Sequence, residues 1–217
     1  VAVTTYSRTA GELVHLADNP LLTIRLGSVL DFAAQRAALP PEVDIVVASA
    51  GVCAQADFGE EQSAEIWRRV MDINVEAVFE LMRLASHALR PGGSFVAISS
   101  GLGKNARPGY GAYCASKHAL LGMVRCAALE WAPRAVRVNA VCPGWVDTEM
   151  AAADMLETSE RLGIPLEETR ARVARAIPLG RAVKPDEVAQ TVVWLASKSA
   201  SMITGQAIAI SGGEFLW

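Results

Sequence analysis

The stretch Asp44-Ile45-Val46-Val47-Ala48-Ser49-Ala50-Gly51 is a nearly continuous apolar run that ends in small residues. Such a run, without polar alternation, suits a strand buried on both faces of a parallel sheet. The same alternation of strand and helix extends outward from it. On the N-terminal side the pattern predicts strands over 1–5 and 21–26 and helices over 9–17 and 31–39. On the C-terminal side it predicts a long helix over 63–89, closed by Arg90-Pro91-Gly92-Gly93, because Pro and Gly do not continue a helix comfortably. A strand over 94–99, a helix over 110–131 and a buried strand over 136–141 follow. A polar helical stretch over 151–177, a helix over 185–196 and a last strand over 207–210 complete the reading. Strands alternating with helices mean βαβ units. The expected fold is therefore α/β, a Rossmann-type, doubly wound, mostly parallel sheet with helices on both faces. Ligands of such sheets bind beyond the carboxyl ends of the strands.

Composition narrows the class. A chain of 217 residues with 52% hydrophobic and 20% charged residues is expected to form one globular domain over 1–217. A net charge of −3 and the lack of a long basic run argue against nucleic acid or an anionic lipid surface as partner. No apolar run approaches a membrane span and no signal peptide is visible, so a cytoplasmic location is expected. The four cysteines (Cys53, Cys114, Cys126, Cys142) form no C-x-x-C pair. They read as reduced thiols, and no metal site is expected.

The chemistry sits in Tyr113-Cys114-Ala115-Ser116-Lys117. Positions i and i+4 share a helix face. A phenol is a poor acid or base at neutral pH, but a neighbouring ammonium favours phenolate, and the pair can then give a proton to a forming alkoxide or take one from an alcohol. The pair alone is weak evidence. Ser100, at the end of Phe95-Val96-Ala97-Ile98-Ser99-Ser100, offers a hydroxyl to orient a substrate carbonyl. Asn74 places an amide inside the long helix.

The order Asn74, Ser100, Tyr113, Lys117 resembles the active-site tetrad of the short-chain dehydrogenase/reductase family. The segment from Arg137 through Pro143-Gly144-Trp145-Val146-Asp147-Thr148 looks like that family's passage along the nicotinamide. Pro178-Leu179-Gly180-Arg181, Pro185-Asp186-Glu187-Val188-Ala189, Thr204-Gly205-Gln206 and Ser211-Gly212-Gly213 resemble its later segments. The resemblance covers nearly everything from Val43 onward. It implies that Tyr113 is the general acid/base and that Lys117 lowers its pKa and binds the nicotinamide ribose. Ser100 would polarise the carbonyl, and Asn74 would hold a water in a proton relay to Lys117. The cofactor would supply the hydride. Residues 149–180 would form the substrate lid, and the overall look is nearest to 3-oxoacyl and aromatic polyketide ketoreductases. A homo-oligomer, tetramer or dimer, would form through the helices over 63–89 and 110–131.

The N-terminal part departs from the family. Its Thr-Gly-x-x-x-Gly-x-Gly turn, which brings backbone amides to a pyrophosphate, is not recognisable. In one alignment the strand over 1–5 is the family's second strand and the first βα unit is absent, leaving neighbouring strands with unpaired edges. In the other, Thr4 to Gly11 is a decayed turn. The first fits the element count better. Only Ala50 and Gly51 remain of the family's Asn-Asn-Ala-Gly, and they are expected to approach the adenosine side. Thr5-Tyr6-Ser7-Arg8 holds no acid and one Arg, which favours NADP(H), with Arg8 at the 2′-phosphate, and leaves NAD(H) open. The full cofactor set is then Arg8, Ala50, Gly51, Tyr113, Lys117, Pro143, Gly144, Val146 and Thr148. The competing expectation is a cofactor-poor, non-catalytic relative that acts as a binding subunit.

Overall fold

The computed structural model describes residues 2–8 and 18–217. The helix expected over 9–17 lies outside the described residues. Two parallel sheets are present. Strands β1 (Val3–Ser7) and β2 (Leu22–Leu26) form a pair with Val3 opposite Leu22. Strands β3 (Val43–Ala48), β4 (Leu89–Ile98), β5 (Arg137–Pro143) and β6 (Ala207–Ile210) form a second sheet in the order β3-β4-β5-β6. Among the described residues β3 pairs only with β4. Thr4 to Ser7 lie within β1 and not in a turn, which removes the decayed-turn alternative for those residues; Gly11 lies outside the described residues.

The helices are α1 (Phe32–Ala38), α2 (Ser63–Met71), α3 (Ala77–Ala88), α4 (Gly111–Trp131), α5 (Glu149–Leu162), α6 (Leu166–Ala176) and α7 (Pro185–Ala196). The period of two along a strand assigns each residue to a layer. Phe95 and Ala97 of β4, with Val138, Ala140 and Cys142 of β5, face α3 and α4, where Val78, Met82, Leu120, Leu121 and Val124 meet them. Val96 and Val141 face the other way, onto Leu195 and Val188 of α7. Phe95 closes the first layer edge-to-face on Trp131, centroids 6.0 Å apart.

Three expectations need correction. The run at β3 is buried on one face only: Val46 and Ala48 are buried, while Ile45 and Val47 are 43% and 41% exposed, because α7 packs over β4 and β5 and leaves that face of β3 uncovered. The helix expected over 63–89 is three pieces, α2, a π-helical turn over Asp72–Glu76, and α3. Arg90 to Gly93 do not form the stop; α3 ends at Ala88 and β4 already includes them. Gly93 makes this passage sterically feasible, since a Cβ there would lie 2.9 Å from the carbonyl oxygens of Arg90 and Asp44. The stretch expected to be helical over 151–177 divides into two helices. Gly163, left-handed at φ 62°, ends α5, and Pro165 precedes α6.

No helix among the described residues is long and apolar enough to cross a bilayer. All four cysteines are free thiols.

Truncating Phe95 should empty the centre of the larger layer. Phe95→Ala is expected to lower unfolding stability by about 3–5 kcal/mol, read as a lower urea midpoint with an unchanged slope.

Candidate active site

The carboxyl ends of β4 and β5, the first turns of α4 and the start of α5 enclose a cavity of about 590 Å³. Ser100 follows β4 directly. Its Oγ accepts from the Leu102 N–H at 3.1 Å and caps a short 3₁₀ turn. Tyr113 and Lys117 are one turn apart on α4, and the Lys117 ammonium lies 5.6 Å from the Tyr113 ring centre. Lys117 is 5% exposed and donates from Nζ to the carbonyl oxygen of Ile98 at 2.9 Å. Pro143 and Gly144 end β5. Gly144 is held close under the C-terminal segment, where a Cβ would lie 2.5 Å from Glu214 Oε2 and 3.2 Å from the Ser211 Cα. Thr148 caps α5, accepting at Oγ1 from the Ala151 N–H at 3.3 Å.

Of the residues singled out in the sequence, Gly51, Ser100, Tyr113, Lys117, Pro143, Gly144, Val146 and Thr148 all line this one cavity. Arg8 and Ala50 do not; both are exposed, Arg8 directly after β1 and Ala50 after β3. Asn74 sits behind the wall, fully buried in the π-helical turn. Its Nδ2 donates to Val52 O at 2.9 Å and Ser116 Oγ at 3.1 Å, and its Oδ1 accepts from Val52 N at 2.8 Å. Both amide donors are thus occupied in pinning the loop after β3 to α4. Gly51 stands between Asn74 Oδ1 and Lys117 Nζ, with a Cβ position 3.4 Å from each.

Electrostatics correct one expectation. Burial, more than any charge, sets the Tyr113 pKa and pushes it up, reinforced by the neighbouring Cys53; a hydrogen bond from the Ser100 hydroxyl opposes this. Burial also acts on Lys117, lowering it to about 8. The ammonium is therefore not what governs the phenol in this protein; desolvation outweighs it. At neutral pH the phenol holds its proton, the form that can donate to a developing alkoxide.

Several groups on the cavity wall were not singled out in the sequence. Arg107 pairs with Glu214 at 3.2 Å and stacks over the rings of Tyr110 and Trp145 at 5.6 and 5.2 Å. Asp154, 8% exposed, accepts from the Tyr110 hydroxyl at 2.8 Å and from Gln55 Nε2 at 2.9 Å. Tyr110 stands three places before Tyr113 and could have been noticed there. The pairings of Gln55 with Asp154 and of Arg107 with Glu214 span 99 and 107 residues and leave no local signal.

Comparison with known proteins agrees with this geometry. A family model described as enoyl-(acyl carrier protein) reductase matches residues 27–214. The 3-oxoacyl-[acyl-carrier-protein] reductase of Thermotoga maritima is 37% identical over 173 residues, 79% of this chain and 65% of the relative. A galactitol 2-dehydrogenase (L-tagatose-forming) of Cereibacter sphaeroides is 39% identical over 189 residues, 85% of this chain and 70% of the relative. The chain thus spans about two thirds of the length of these curated relatives. Among solved structures, an actinorhodin polyketide ketoreductase variant with NADPH aligns at TM-score 0.89 and 29% identity, over 100% of this chain and 88% of the other. A short-chain dehydrogenase family protein of Francisella tularensis aligns at TM-score 0.89 and 25% identity, over 98% and 87%.

The buried ammonium carries a testable cost. Folding lowers the Lys117 pKa from 10.5 to about 8, so the folded state binds fewer protons than the unfolded chain between those values. Wild-type stability should rise with pH across that window, and the penalty is fully present below it. Lys117→Met is expected to be more stable than wild type by about 2 kcal/mol at pH 7. The advantage should fade between pH 8 and 10.5 in urea titrations.

Proposed function

The chain belongs to the short-chain dehydrogenase/reductase family, and on that premise we propose that it transfers a hydride between NADP(H) and a ketone or secondary alcohol. The observation that carries the reading is the convergence of Ser100, Tyr113 and Lys117 on one cavity with Pro143, Gly144 and Thr148. The nicotinamide half of the cofactor fits these residues. The Lys117 ammonium has three donors and spends one on Ile98, which leaves donors for ribose hydroxyls. Gly51, Pro143, Gly144, Val146 and Thr148 supply a wall of small and apolar surface for the ring. When bound, the cofactor supplies or accepts the hydride.

This chain's own residues do the rest. Ser100 orients the carbonyl oxygen, and Tyr113 gives it a proton in reduction or takes one in oxidation. Lys117 holds the ribose and provides positive charge beside the phenol. Asn74 acts by placement: it fixes Gly51 and Val52 and keeps one Oδ1 lone pair on the Gly51 side, where a water relay from Lys117 would pass. Arg8, at the end of β1 with no carboxylate among its neighbours in sequence, supports NADP(H) over NAD(H), as does the NADPH in the polyketide ketoreductase structure. The 3-oxoacyl and acetoacetyl-CoA reductases among the relatives support a 3-oxoacyl or polyketide-like carbonyl substrate. Residues 149–180 serve as its lid. Large apolar side chains exposed on α2, α3 and α4 (Trp67, Phe79 and Leu129, at 44%, 53% and 79%) support association of the chain into a dimer or tetramer through those helices.

Titration with NADPH should enhance cofactor fluorescence at lower concentration than NADH requires, and failure to bind either at millimolar levels would overturn the reading in favour of a cofactor-poor binding subunit. Tyr113→Phe should lower kcat by about 10²–10⁴-fold while leaving NADPH binding in place. Because burial holds the phenol protonated, reduction should be flat through neutral pH and fall above about 8 as Lys117 loses its charge, whereas alcohol oxidation should rise with pH. Opposite slopes in the two directions are the signature to measure.

A further inference from the structure

Asp154 is a buried carboxylate in a cavity lined mainly by apolar side chains. Among the described residues no Lys, Arg or His lies within ion-pair distance of it. Its partners are neutral. Oδ1 accepts from Gln55 Nε2 at 2.9 Å and weakly from Cys53 Sγ at 3.8 Å; Oδ2 accepts from the Tyr110 hydroxyl at 2.8 Å. An ionised carboxylate accepts about four hydrogen bonds, so Oδ2 keeps acceptor capacity. A buried charge without a counter-ion is costly, and a further donor at Oδ2, such as a ligand hydroxyl, offsets part of that cost.

The position fits a substrate and not merely a clasp. Cys53 packs in the same cluster as Tyr113 and Tyr110, and its thiol feels the charges of both Asp154 and Lys117. Asp154 thus lies about one side chain away from the proton-transfer pair, on the wall formed by α5. Neither cation of this cavity pairs with it: Arg107 is held by Glu214 and stacked on two rings, and Lys117 donates to the carbonyl of Ile98. The α5 wall beside the reacting carbon therefore presents a carboxylate with acceptor capacity at Oδ2.

We propose that Asp154, seated by Gln55 and Tyr110, is the specificity-determining residue of the carbonyl site, selecting a substrate with a hydroxyl donor a few bonds from the reacting carbon and rejecting one with an anionic group there. The proposal rests on the ketone-reducing assignment above and shifts its substrate class from a plain 3-oxoacyl chain to hydroxylated carbonyl compounds.

The test uses hydroxyacetone, butanone and acetoacetate, which carry a hydroxyl, a methyl and a carboxylate at comparable positions. Wild type should favour hydroxyacetone over butanone at least tenfold in kcat/KM, since a hydrogen bond to a charged group discriminates at about that level. Asp154→Leu should bring the ratio near one. Asp154→Asn, which retains an acceptor and the bond from Tyr110, should keep part of the preference but relieve the exclusion of acetoacetate. Glu157→Gln weakens the same lid contact, the Gln55 N–H to Glu157 at 3.2 Å, from outside the cavity. It should change all three substrates alike. A ratio near one in wild type, or one unchanged in Asp154→Leu, overturns the proposal. Should Asp154→Leu fail to fold, acetoacetate turnover by Asp154→Asn decides: no gain overturns it. Saturation-transfer NMR of the same ligands reads binding without turnover. A hydroxyl preference there that Asp154→Leu abolishes, with no ketone reduced, would overturn the catalytic assignment and support the role of Asp154.

Discussion

The site depends on one contact, that of α4 with the β4–β5 ladder. Leu120, Leu121 and Val124 seat the helix on Phe95, Val138 and Ala140, and this packing carries Lys117 into the interior until its ammonium meets the carbonyl of Ile98. Ser100 and Pro143-Gly144 arrive at the same place because β4 and β5 are parallel neighbours in register, with Ile98 opposite Val141. Strand ends bring Ser100 and Pro143-Gly144, and the helix brings Tyr113 and Lys117. Shifting α4 by one residue would turn Tyr113 and Lys117 away together.

The same burial explains both departures in acidity. Tyr113 is held up and Lys117 is held down for one reason: each is removed from water, and each charged form loses. The shifts run in opposite directions, the phenol up and the ammonium down, so both neutral forms are favoured in a pair whose proposed chemistry uses the ammonium and, in one direction, the phenolate. That is a stability cost accepted at a functional position, and it marks the pair as a site more firmly than its spacing does.

How much was legible in the sequence follows from the distance over which each feature is encoded. The β5 and β6 strands, α4 and α7 are local patterns of apolar spacing and appear where periodicity puts them. Ser100, Tyr113 and Lys117 lie within 18 positions on one β-strand, loop and helix, and the cavity gathers them as expected. The half-exposed β3 was not legible, because an apolar run does not report which of its faces a helix will cover. The π-helical turn was not legible either: one extra residue per turn leaves no compositional mark, yet it aims Asn74 at Val52 and Ser116. Arg8 and Ala50, assigned by resemblance where the motif itself was incomplete, lie outside the cavity, and Asn74 stands behind its wall.

The wall opposite in role to the catalytic pair is assembled differently. Arg107 and Tyr110 come from the loop before α4, Asp154 from α5, and Glu214 and Phe215 from beyond β6, while Gln55, from the loop after β3, holds Asp154 from behind. None of these lies on a strand, and they hold one another through side chains. Loops can vary without disturbing the sheet. On the proposed reading, a change at Asp154 or Arg107 alters which carbonyl compound is held while α4 keeps its seat on β4 and β5, and reaction type and substrate choice rest on physically separate parts of the chain. Such a division is what lets one fold serve relatives named for acyl chains and for sugar alcohols alike. On that reading this chain's own substrate is chosen by α5 and its clasp, and not by the residues by which the family is recognised.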